Sequence, residues 1–494
     1  MRNAAVLRRE SFGKRFVQSL PRWQAPRRLG SPTWHVAKNL RIRGRPMNSE
    51  STPGLDVLLQ NARRRAGLTQ AQLAGLATVS VRAIRDLEQG RVRNPRKETL
   101  KLLANAMRMS DARRIELELA ADAHAAGRVL QSLYSAELAA PPTPLRPLVG
   151  RRAELEALTD RLDNRHDRLL TLVGLPGVGK SRLAQEAALV LHARDRMPVL
   201  WVPMDRAADA GPEQGPQAPL AGWVRSLIRD GDRFEELTSV IGDKPTLIVL
   251  DGLDDSAPAL PALLNLLRAC ERLKTVVTSR RVTQPPAGRL LPLAPLPAPA
   301  PSAAESALPG DSLVAGRPAV ELMLSYVSHM RPDLLPTDAV TTALAHICHR
   351  VDGIPRALEA AASWLLLYSP DQLLEIARAT PLFLVDGVTP ATSEPGGTLG
   401  EQLGSALAEL DDRTADLLTT LAALPEPWTV DAAARANGRP LTETARDVHG
   451  LLLRGLVRQH ATEPGGPVGF TVLNLVRELM TARRPAADLV GAAD

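Results

Sequence analysis

The stretch 169–184 constrains the fold of this chain most, because an apolar run leads through a glycine-rich loop into a helix-like pattern. It reads LLTLVGLPGVGKSRLA, and the template G-x-x-x-x-G-K-[ST] is filled by Gly174, Gly179, Lys180 and Ser181. Glycines in such a loop let backbone N–H groups turn toward a phosphate at the positive end of the following helix. The stretch therefore predicts a strand, a phosphate-binding loop (P-loop) and a helix, in an α/β domain that holds a nucleoside triphosphate.

Each residue type in the P-loop has a physical role. Gly177 and Gly179 let N–H groups surround the β-phosphate. Lys180 is expected to neutralise the β- and γ-phosphates, and the Ser181 hydroxyl to complete the shell of a Mg²⁺ ion. The alternative is a glycine-rich turn that matches the template by accident. The predicted nucleotide-binding residues of this stretch are Gly174, Gly177, Val178, Gly179, Lys180, Ser181 and Arg182.

Two further apolar runs support this interpretation. Residues 246–250 (TLIVL) predict a strand that ends on the acidic cluster DGLDD, as in a Walker B strand. The catalytic candidates are Asp251, Asp254 and Asp255. Asp251 is expected to hold Mg²⁺ through water, and Asp254 or Asp255 to orient or deprotonate an attacking water. Residues 274–278 (KTVVT) predict a third strand. It runs into Arg280, which either senses the γ-phosphate or is a solvated surface residue.

Length and composition indicate a multidomain, largely helical protein. At 494 residues the chain is long enough for three or four domains, and only 3% of it is aromatic, so the cores must be aliphatic. Cys270 and Cys348 fit no metal or redox spacing, which favours a reducing cytosol and a cytoplasmic location. No apolar run reaches the length of a membrane span.

The positive charge is concentrated at the N-terminus. Residues 1–46 hold twelve Lys or Arg and one acid, a local charge of +11, so the formal net charge of +7 leaves −4 for the rest. This predicts a basic disordered tail (1–50) rather than a basic globular surface, and the tail lacks the apolar core of an export signal. It is either a nucleic-acid-binding arm or a segment upstream of a true start at Met47.

Residues 54–109 place leucines and Ile84 at helical spacing and predict several short amphipathic helices. Thr69 and Ser80 are expected to cap two of them, joined by a turn at Thr78 and Val79. The patterns T-Q-x-x-L-A at 69–74, V-S at 79–80 and I-x-x-L-E-x-G at 84–90 resemble the Xre/Cro/repressor class of helix-turn-helix domains.

The resemblance implies that the second of these helices reads the major groove of a double-stranded DNA operator. By position, Arg82 is expected to bind guanine or phosphate, and Gln70 to bind backbone phosphate. The alternatives are a helical bundle with a solvated basic side, or a helix-turn-helix used for protein contacts. The DNA-binding residues that the resemblance implies are Gln70, Ser80, Val81, Arg82, Arg85, Asp86 and Arg91.

A proline-rich linker separates this module from the segment LVGRRAELEAL (148–158). Its h-h-G-R-x-x-E pattern, the Walker motifs, T-S-R at 278–280 and G-I-P at 353–355 resemble the NB-ARC and NACHT-like STAND ATPases. The resemblance implies that Arg151 lies near the nucleotide base and that Pro355 packs on the adenine in an ADP-bound state. Arg356 stands where the family usually has leucine, and Asp255 where it usually has glutamate.

The C-terminal part resembles the winged-helix domain of bacterial STAND regulators. It is expected to supply two helices, a helix running into a strand, and a strand followed by a last helix. The family often carries a His or Asp near that last helix that touches the ADP phosphate, whereas this chain has Leu473 and Asn474. Most relatives continue into repeats that sense a ligand, and no such repeat is visible here.

The predicted fold class is multidomain: an all-α helix-turn-helix domain, an α/β P-loop core with a parallel sheet, an α-helical lid and a winged-helix domain. The predicted domains are a tail (1–50), a helix-turn-helix domain (51–120), a linker (121–146), the P-loop core (147–284), a Pro/Ala-rich connector (285–311), the lid (312–395), the winged-helix domain (396–485) and a second tail (486–494).

The two motif sets on one chain predict a transcriptional regulator that binds ATP or ADP with Mg²⁺. Nucleotide state is expected to control formation of a homo-oligomer and DNA binding, because pairing two heads multiplies affinity. Hydrolysis is expected to be slow, as the resemblance implies for a switch. The alternative is a signalling or defence ATPase whose helix-turn-helix domain recruits a protein partner.

Overall fold

The computed structural model describes most of the chain between residues 55 and 483. The ranges are 55–92, 95–109, 111–121, 140–204, 221–222, 224–225, 228, 234–253, 259–282, 288–299, 314, 316–386, 397–460 and 467–483. The predictions for the two tails, for much of the linker, and for Asp254 and Asp255 lie outside these residues. Within the described ranges, no helix has the length and apolar character that crossing a membrane requires.

Five helices enclose the first core. They are α1 (Leu55–Arg65), α2 (Gln70–Ala77), α3 (Val81–Glu88), α4 (Lys97–Ala106) and α5 (Asp111–Ala121). Leu59, Leu73, Ile84 and Leu103 are fully buried at the centre of this core. The spacing of these residues therefore corresponds to the inner sides of real helices, as predicted, whereas Leu76 of the same pattern is 62% exposed.

Local hydrogen bonds define the starts of α2 and α3 and the turn between them. The N–H of Gln72 donates to Thr69 Oγ1 over 3.2 Å, and the N–H of Thr69 donates to Gln72 Oε1 over 2.9 Å, forming a capping box. Ser80 Oγ accepts from the N–H of Ala83 over 3.1 Å at the start of α3. Between them, Thr78 has a φ of 52°, in the left-handed region. The predicted caps are confirmed: Thr69 fixes where α2 begins, and Ser80 fixes where α3 begins.

A buried ion pair ties α1 to α3. Arg63 Nε lies 2.6 Å from Glu88 Oε1, and the two side chains are only 12% and 2% exposed. Gln70 Nε2, from the first turn of α2, donates to Glu88 Oε2 over 2.8 Å. Burial raises the pKa of the Glu88 carboxyl, but the hydrogen bonds from Arg63 and Gln70 outweigh burial, so its pKa is lowered. One ionised carboxylate thus joins three helices.

A parallel sheet of five strands forms the second region, in the order β2-β3-β4-β1-β5. The strands are β1 (Leu169–Val173), β2 (Val199–Pro203), β3 (Thr246–Asp251), β4 (Leu273–Ser279) and β5 (Arg289–Pro292). Four described helices accompany it, α6 (Arg152–Asp163), α7 (Lys180–Asp195), α8 (Phe234–Ile241) and α9 (Ala259–Ala269). All of β1 is buried, as expected for a parallel strand covered on both sides. The carboxyl ends of β1, β3 and β4 meet at one edge of the sheet, where the P-loop lies.

Strand β5 corrects one prediction. Residues 285–311 were expected to form a loose connector, but β5 pairs in parallel with β1, and the N–H of Leu293 donates to Val173 O over 2.8 Å. The connector interpretation is wrong for β5, because proline content was taken as evidence against a strand. Pro292 ends an edge strand, where its missing N–H removes no necessary ladder bond.

A group of helices follows the sheet. They are α10 (Pro318–Met330), α11 (Asp338–Arg350), α12 (Pro355–Ser363), α13 (Pro370–Ala379) and α14 (Pro381–Asp386), with a short 3₁₀ turn at Trp364–Leu366. The turn before α12 docks on the chain that follows β5. Leu296 donates its N–H to Gly353 O over 3.0 Å, and a Cβ on Gly353 would lie 2.2 Å from Leu296 O. Glycine is therefore required at this contact.

The C-terminal region packs onto the same core. It contains α15 (Leu399–Ala408), α16 (Asp412–Ala423), α17 (Val430–Asn437), α18 (Leu441–Arg454), β6 (Val457–His460), β7 (Gly469–Val472) and α19 (Asn474–Arg483). Strands β6 and β7 are antiparallel, and the rings of Trp428 and Phe470 stack 5.4 Å apart beside them. The predicted helices and strands are present here. The predicted multidomain fold class is confirmed, while the domain boundaries and the winged-helix assignment stay predictions.

Replacement of Glu88 by Gln should destabilise the first region. Breaking a buried ion pair leaves Arg63 without its carboxylate, which costs about 3 kcal/mol at neutral pH. Because the pKa of Glu88 is lowered, this difference is fully present above the unfolded pKa, about 4.3, and is lost as pH falls through the folded value. Hydrogen exchange of α1 and α3 at neutral pH, with thermal unfolding down to about pH 3, measures both effects.

Glu98→Gln is the matched control, because Glu98 lies exposed on α4. Equal protection of α1 and α3 in the Glu88 and Glu98 variants would contradict the role of the ion pair.

Candidate nucleotide site and DNA-contacting helix

The P-loop lies between β1 and α7 and depends on three glycines. Gly174, Gly177 and Gly179 have φ values of 152°, 72° and 102°. A Cβ on Gly174 would lie 2.6 Å from Leu293 O, whereas a Cβ on Gly179 would meet nothing within 4 Å. The loop is therefore anchored at its first glycine and open at its third. Helix α7 begins directly after Gly179, so its positive N-terminal end faces this open part.

Lys180 turns its side chain back along the loop. Its Nζ donates to Gly174 O over 3.0 Å and to Leu175 O over 2.9 Å, and the residue is buried. The ammonium charge is thus held within the P-loop, where the sequence predicted it. Val178, also buried, contributes its backbone to the same loop.

Asp251 connects two strands with the P-loop helix through its side chain. Its Oδ1 accepts a hydrogen bond from Ser181 Oγ over 2.6 Å, which brings the two predicted Mg²⁺ ligands together. The same oxygen accepts from Thr278 Oγ1 over 2.6 Å. Thr278 Oγ1 in turn accepts from the N–H of Gly252 over 2.9 Å. Sequence reasoning placed Thr278 only at a strand end. The parallel pairing of Asp251 with Thr278 is the signal that would have found this role.

Arg151 lies behind the P-loop. It is 5% exposed, its Nη1 is 2.7 Å from Glu154 Oε1, and its Nη2 donates to Val178 O over 3.2 Å and to Ala294 O over 2.6 Å. The guanidinium therefore joins the entry segment, the P-loop and the chain after β5. The expected contact with the nucleotide base stays a prediction.

Arg182, in the first turn of α7, contacts the linker and its own helix. It pairs with Glu186 over 2.6 Å and donates to Arg146 O over 2.7 Å. Its guanidinium thus fastens the described end of the linker to the P-loop helix. A nucleotide contact by Arg182 stays a prediction.

Two arginines follow β4. Arg280, the predicted γ-phosphate sensor, is exposed. Arg281 pairs through two nitrogen atoms with Glu409, Nε to Oε2 at 2.9 Å and Nη2 to Oε1 at 2.8 Å. The strand end beside Asp251 is thereby linked to the residue that follows α15.

Helix α12 approaches the P-loop with its N-terminus. Pro355 is the first residue of α12, and the N–H of Arg356 donates to Gly177 O over 3.3 Å. The G-I-P turn thus lies beside the P-loop, where the resemblance places it. Adenine packing by Pro355 stays a prediction.

Asn474 takes part in a buried contact with the turn before α12. The N–H groups of Asn474 and Leu475 donate to the Asp352 carboxylate over 2.8 and 2.9 Å, so Asp352 caps α19. Arg458 donates to Asp352 O. Burial raises the pKa of the Asp352 carboxyl, and Arg458 with the two hydrogen bonds offsets only part of this rise. Asn474 is thus used in joining α19 to the turn before α12.

The predicted DNA-contacting residues cluster around α3. The side chain of Arg82 is 91% exposed and Arg85 is also exposed. Asp86 Oδ1 accepts from Arg91 Nη1 over 3.2 Å, and Asp86 Oδ2 lies 3.9 Å from Arg82 Nε, so one carboxylate orients two arginines. These contacts place a cationic surface on the outer side of α3.

Three other predicted residues are partly used for structure. Val81, a predicted DNA-binding residue, is half-buried and packs against the helical core, so only part of it is accessible to DNA. Ser80 caps α3 through its side chain. Gln70 donates to Glu88, and its contact with DNA phosphate stays a prediction.

The residues of the P-loop edge fit a magnesium nucleotide. The glycine backbone leaves open space at 179, and the positive end of α7 with Lys180 suits a phosphate chain. The hydroxyl of Ser181 and the carboxylate of Asp251 are oxygen donors of the kind that Mg²⁺ prefers.

Replacement of Thr278 by Val should destabilise the sheet region. It removes a donor to Asp251 and leaves the half-buried N–H of Gly252 with one acceptor fewer, a cost of about 1–3 kcal/mol. Scanning calorimetry of the full chain measures the loss.

Thr275→Val is a matched control on the same strand, because Thr275 Oγ1 is buried and has no hydrogen-bond partner in the described structure. It should be neutral or stabilising. Equal effects of the two substitutions would refute a special role for Thr278.

Protein-family models match two parts of the chain. A helix-turn-helix domain matches residues 57–117, and an AAA ATPase domain matches residues 147–278. The first match runs from α1 into α5. The second runs from the entry segment to Thr278 and includes the P-loop and Asp251.

Similar curated proteins occur in mycobacteria. A Mycobacterium tuberculosis (strain ATCC 25618 / H37Rv) protein provisionally named as an HTH-type transcriptional regulator is 32% identical over 212 residues, 43% of this chain and 21% of the relative. An uncharacterized protein of the same strain is 29% identical over 296 residues, 58% of this chain and 68% of the relative. The chain therefore spans about a fifth of the length of the first relative.

Solved structures show only distant similarity. A STAND protein with a tetratricopeptide repeat sensor from Pyrococcus horikoshii has a TM-score of 0.27 and 16% identity, covering 71% of this chain and 44% of that chain. AMPPCP-bound DnaA from Aquifex aeolicus has a TM-score of 0.32 and 13% identity, covering 62% and 89%. From the two family matches, this chain carries an N-terminal helix-turn-helix domain followed by a P-loop ATPase domain of the AAA type.

Proposed function

We propose that this protein is a STAND-type transcriptional regulator in which the P-loop site binds ATP or ADP with Mg²⁺. The observation that carries the proposal is the hydrogen bond between Ser181 and Asp251, beside the ammonium of Lys180. These groups are the phosphate-binding and metal-binding parts that nucleotide switches use. In our proposal, Ser181 and Asp251 hold the ion, and Lys180 pairs with the phosphate chain.

Slow hydrolysis is part of the proposal. When it is bound, Mg²⁺ would neutralise charge that develops on the phosphates. Asp251 is held by Ser181 and Thr278, so it is positioned to orient water near that ion. Asp254 and Asp255, outside the described residues, remain the candidates for activating the attacking water. A slow step suits a switch that has to dwell in one state.

DNA binding through α3 is the second part of the proposal. Residues 51–120 hold thirteen Lys or Arg and seven Asp or Glu, a net charge of +6. The expectation that the positive charge lies in the tail alone is therefore wrong. In a count over the whole chain, the acidic residues that follow position 120 offset the positive charge of this module. Exposed Arg82 and Arg85 lie on the helix that the helix-turn-helix class inserts into the major groove.

Nucleotide state is proposed to control the pairing of helix-turn-helix heads. One short head reads one half-site, and two heads held together gain affinity through effective concentration. We propose that ATP favours a homo-oligomer and that ADP favours separate chains. We also propose that the C-terminal helices with β6 and β7 act as a winged-helix domain within one chain rather than on DNA. The name of the mycobacterial relative supports regulation of transcription.

Replacement of Lys180 by Ala should abolish nucleotide binding. Loss of the only ammonium bonded within the described P-loop should weaken affinity for a fluorescent ATP analogue by at least about 100-fold, or roughly 2.7 kcal/mol. Fluorescence anisotropy with the full chain measures this affinity. Lys244→Ala, which removes an exposed lysine before β3, is the control and should bind normally. Unchanged affinity in the Lys180 variant would refute the nucleotide site.

Replacement of Arg85 by Ala should weaken DNA binding and its dependence on salt. Loss of one phosphate contact reduces the slope of log affinity against log salt by about 0.9, and loss of a base contact costs about 1–3 kcal/mol. Titration of a random-sequence duplex at several salt concentrations measures the slope.

Arg113→Ala removes an exposed charge from α5 instead and should change the slope less. Binding with no salt dependence in the wild type would favour the alternative in which this domain recruits a protein.

A further inference from the structure

The linker before the ATPase domain is docked along the P-loop helix. Half of residues 140–147, which we call the strap, are proline and have no N–H to donate. Helix α7 supplies the donors instead. Gln185 Nε2 donates to Pro142 O over 2.8 Å, and Arg182 Nη2 donates to Arg146 O over 2.7 Å. The strap therefore runs antiparallel to α7, and its C-terminal end lies toward the P-loop.

The side chain of Arg146 reaches two of the helices that follow the sheet. Its guanidinium lies over the ring of Tyr326 on α10, 5.1 Å from the ring centre, and its Nη1 is 3.6 Å from Glu359 Oε1 on α12. Burial raises the pKa of the Tyr326 hydroxyl, and Glu359 adds to the rise, so the ring is neutral at pH 7. Arg146 is thus bound to α7 through its carbonyl and to α10 and α12 through its side chain, which we call the clasp.

Helix α12 carries the clasp contact one turn away from its contact with the P-loop. The N–H of Arg356 donates to Gly177 O over 3.3 Å, and a Cβ on Gly177 would lie 2.8 Å from Arg356 Cβ. Glu359 follows three residues later, so it lies on the same side of the helix. A change in the P-loop at Gly177 that displaces α12 therefore also displaces the partner of Arg146.

The clasp is built to open more readily than the chain that follows it. The side chains of Arg146 and Glu359 are 53% and 52% exposed, and ion pairs of this kind contribute little to stability. Arg151, by contrast, is 5% exposed and donates to Val178 O and Ala294 O. The chain is thus held firmly where the ATPase domain begins and weakly along the strap.

We propose that the strap restrains the DNA-binding domain, which precedes it in sequence, and that the clasp holds or releases the strap according to the nucleotide at the P-loop. With ADP, the clasp is closed, and the free tether of the head ends at residue 140. With ATP, α12 shifts at Gly177 and the clasp opens. The strap then joins the tether and adds up to about 27 Å of extended chain.

The added reach matters because a tether too short to span two half-sites gives no gain in effective concentration. Release of the strap lets two heads meet, while a closed clasp keeps them apart. The inference rests on the proposed function for its nucleotide trigger, and it names the segment through which the P-loop acts on the heads.

A spin label on Leu145→Cys reports whether the strap is docked. Leu145 is fully exposed, so the substitution removes no packing, whereas the native Cys270 and Cys348 are buried and should not react with the label. Electron paramagnetic resonance of the full chain measures the mobile fraction of the label. In ADP the label should be mostly immobilised, and a non-hydrolysable ATP analogue should raise the mobile fraction several-fold.

Loss of the clasp should reproduce the effect of ATP. Arg146→Ala should raise the ratio of mobile to immobile label about fivefold in ADP, and Glu359→Gln about twofold. Tyr326→Phe keeps the ring under the guanidinium and should leave the ratio unchanged. Light scattering of Arg146→Ala in ADP should show a rise in mass, because its heads are released.

Arg152→Ala is the matched control, because it removes an exposed arginine whose partner Glu156 lies on the same helix, α6. Equal label mobility in the Arg146 and Arg152 variants would overturn the strap. An immobile label in both nucleotides, in protein that binds both, would overturn its release by ATP. An unchanged mass of Arg146→Ala in ADP, with a mobile label, would overturn the restraint of the heads.

Failure of the proposed function would look different. Absence of Lys180-dependent nucleotide binding in the wild type would overturn the nucleotide switch and with it the trigger of the strap. Comparison of Arg146→Ala with Arg152→Ala in the absence of nucleotide would still decide whether the clasp holds the strap.

Discussion

The carboxylate of Asp251 is the contact on which the nucleotide site depends. One of its oxygen atoms receives hydroxyl hydrogen bonds from Ser181 and Thr278, both over 2.6 Å. These bonds connect the P-loop helix with the ends of β3 and β4. Because the strands are parallel, their carboxyl ends lie at one edge of the sheet. The Asp251 oxygen therefore holds this edge against the first turn of the P-loop helix.

Direct contacts link the P-loop with several other described regions between residues 140 and 483. Arg151 ties the loop to the entry segment and to the chain after β5, and Arg356 ties it to α12 and α15. Farther away, Asp352 caps α19 and so fixes the C-terminal region to the turn before α12. A change in the loop therefore has direct neighbours through which it can reach the C-terminal region. This contiguity is the physical basis of the proposed switch.

Short-range patterns made much of the fold predictable. The P-loop, the strand ending at Asp251 and the caps at Thr69 and Ser80 each depend on residues within a few positions of one another. Strand β5 was missed because β1, the strand with which it pairs, is far away in sequence. The role of the Thr278 hydroxyl was missed for the same reason, because its partner Asp251 lies on a different strand. Such pairings depend on register and topology, which local sequence does not encode.

The structural role of Glu88 and the position of Arg356 show a second limit of sequence reasoning. A motif indicates that Gln70 and Glu88 belong to a helix-turn-helix, but it does not reveal that they bond to each other and to Arg63. Arg356 stands where the resemblance predicts leucine, and only the fold shows that it lies against Gly177 and donates to Gln402. Departures from a motif need the folded neighbourhood to be interpreted.

In the proposed function, the nucleotide bound at the P-loop controls the association of the DNA-binding heads. Light scattering during size-exclusion chromatography tests it most directly, with wild type and Lys180→Ala in ADP and in a non-hydrolysable ATP analogue. We predict a rise in mass for the wild type in the ATP analogue alone, and no rise for the variant. An identical mass for both proteins in both nucleotides would contradict it.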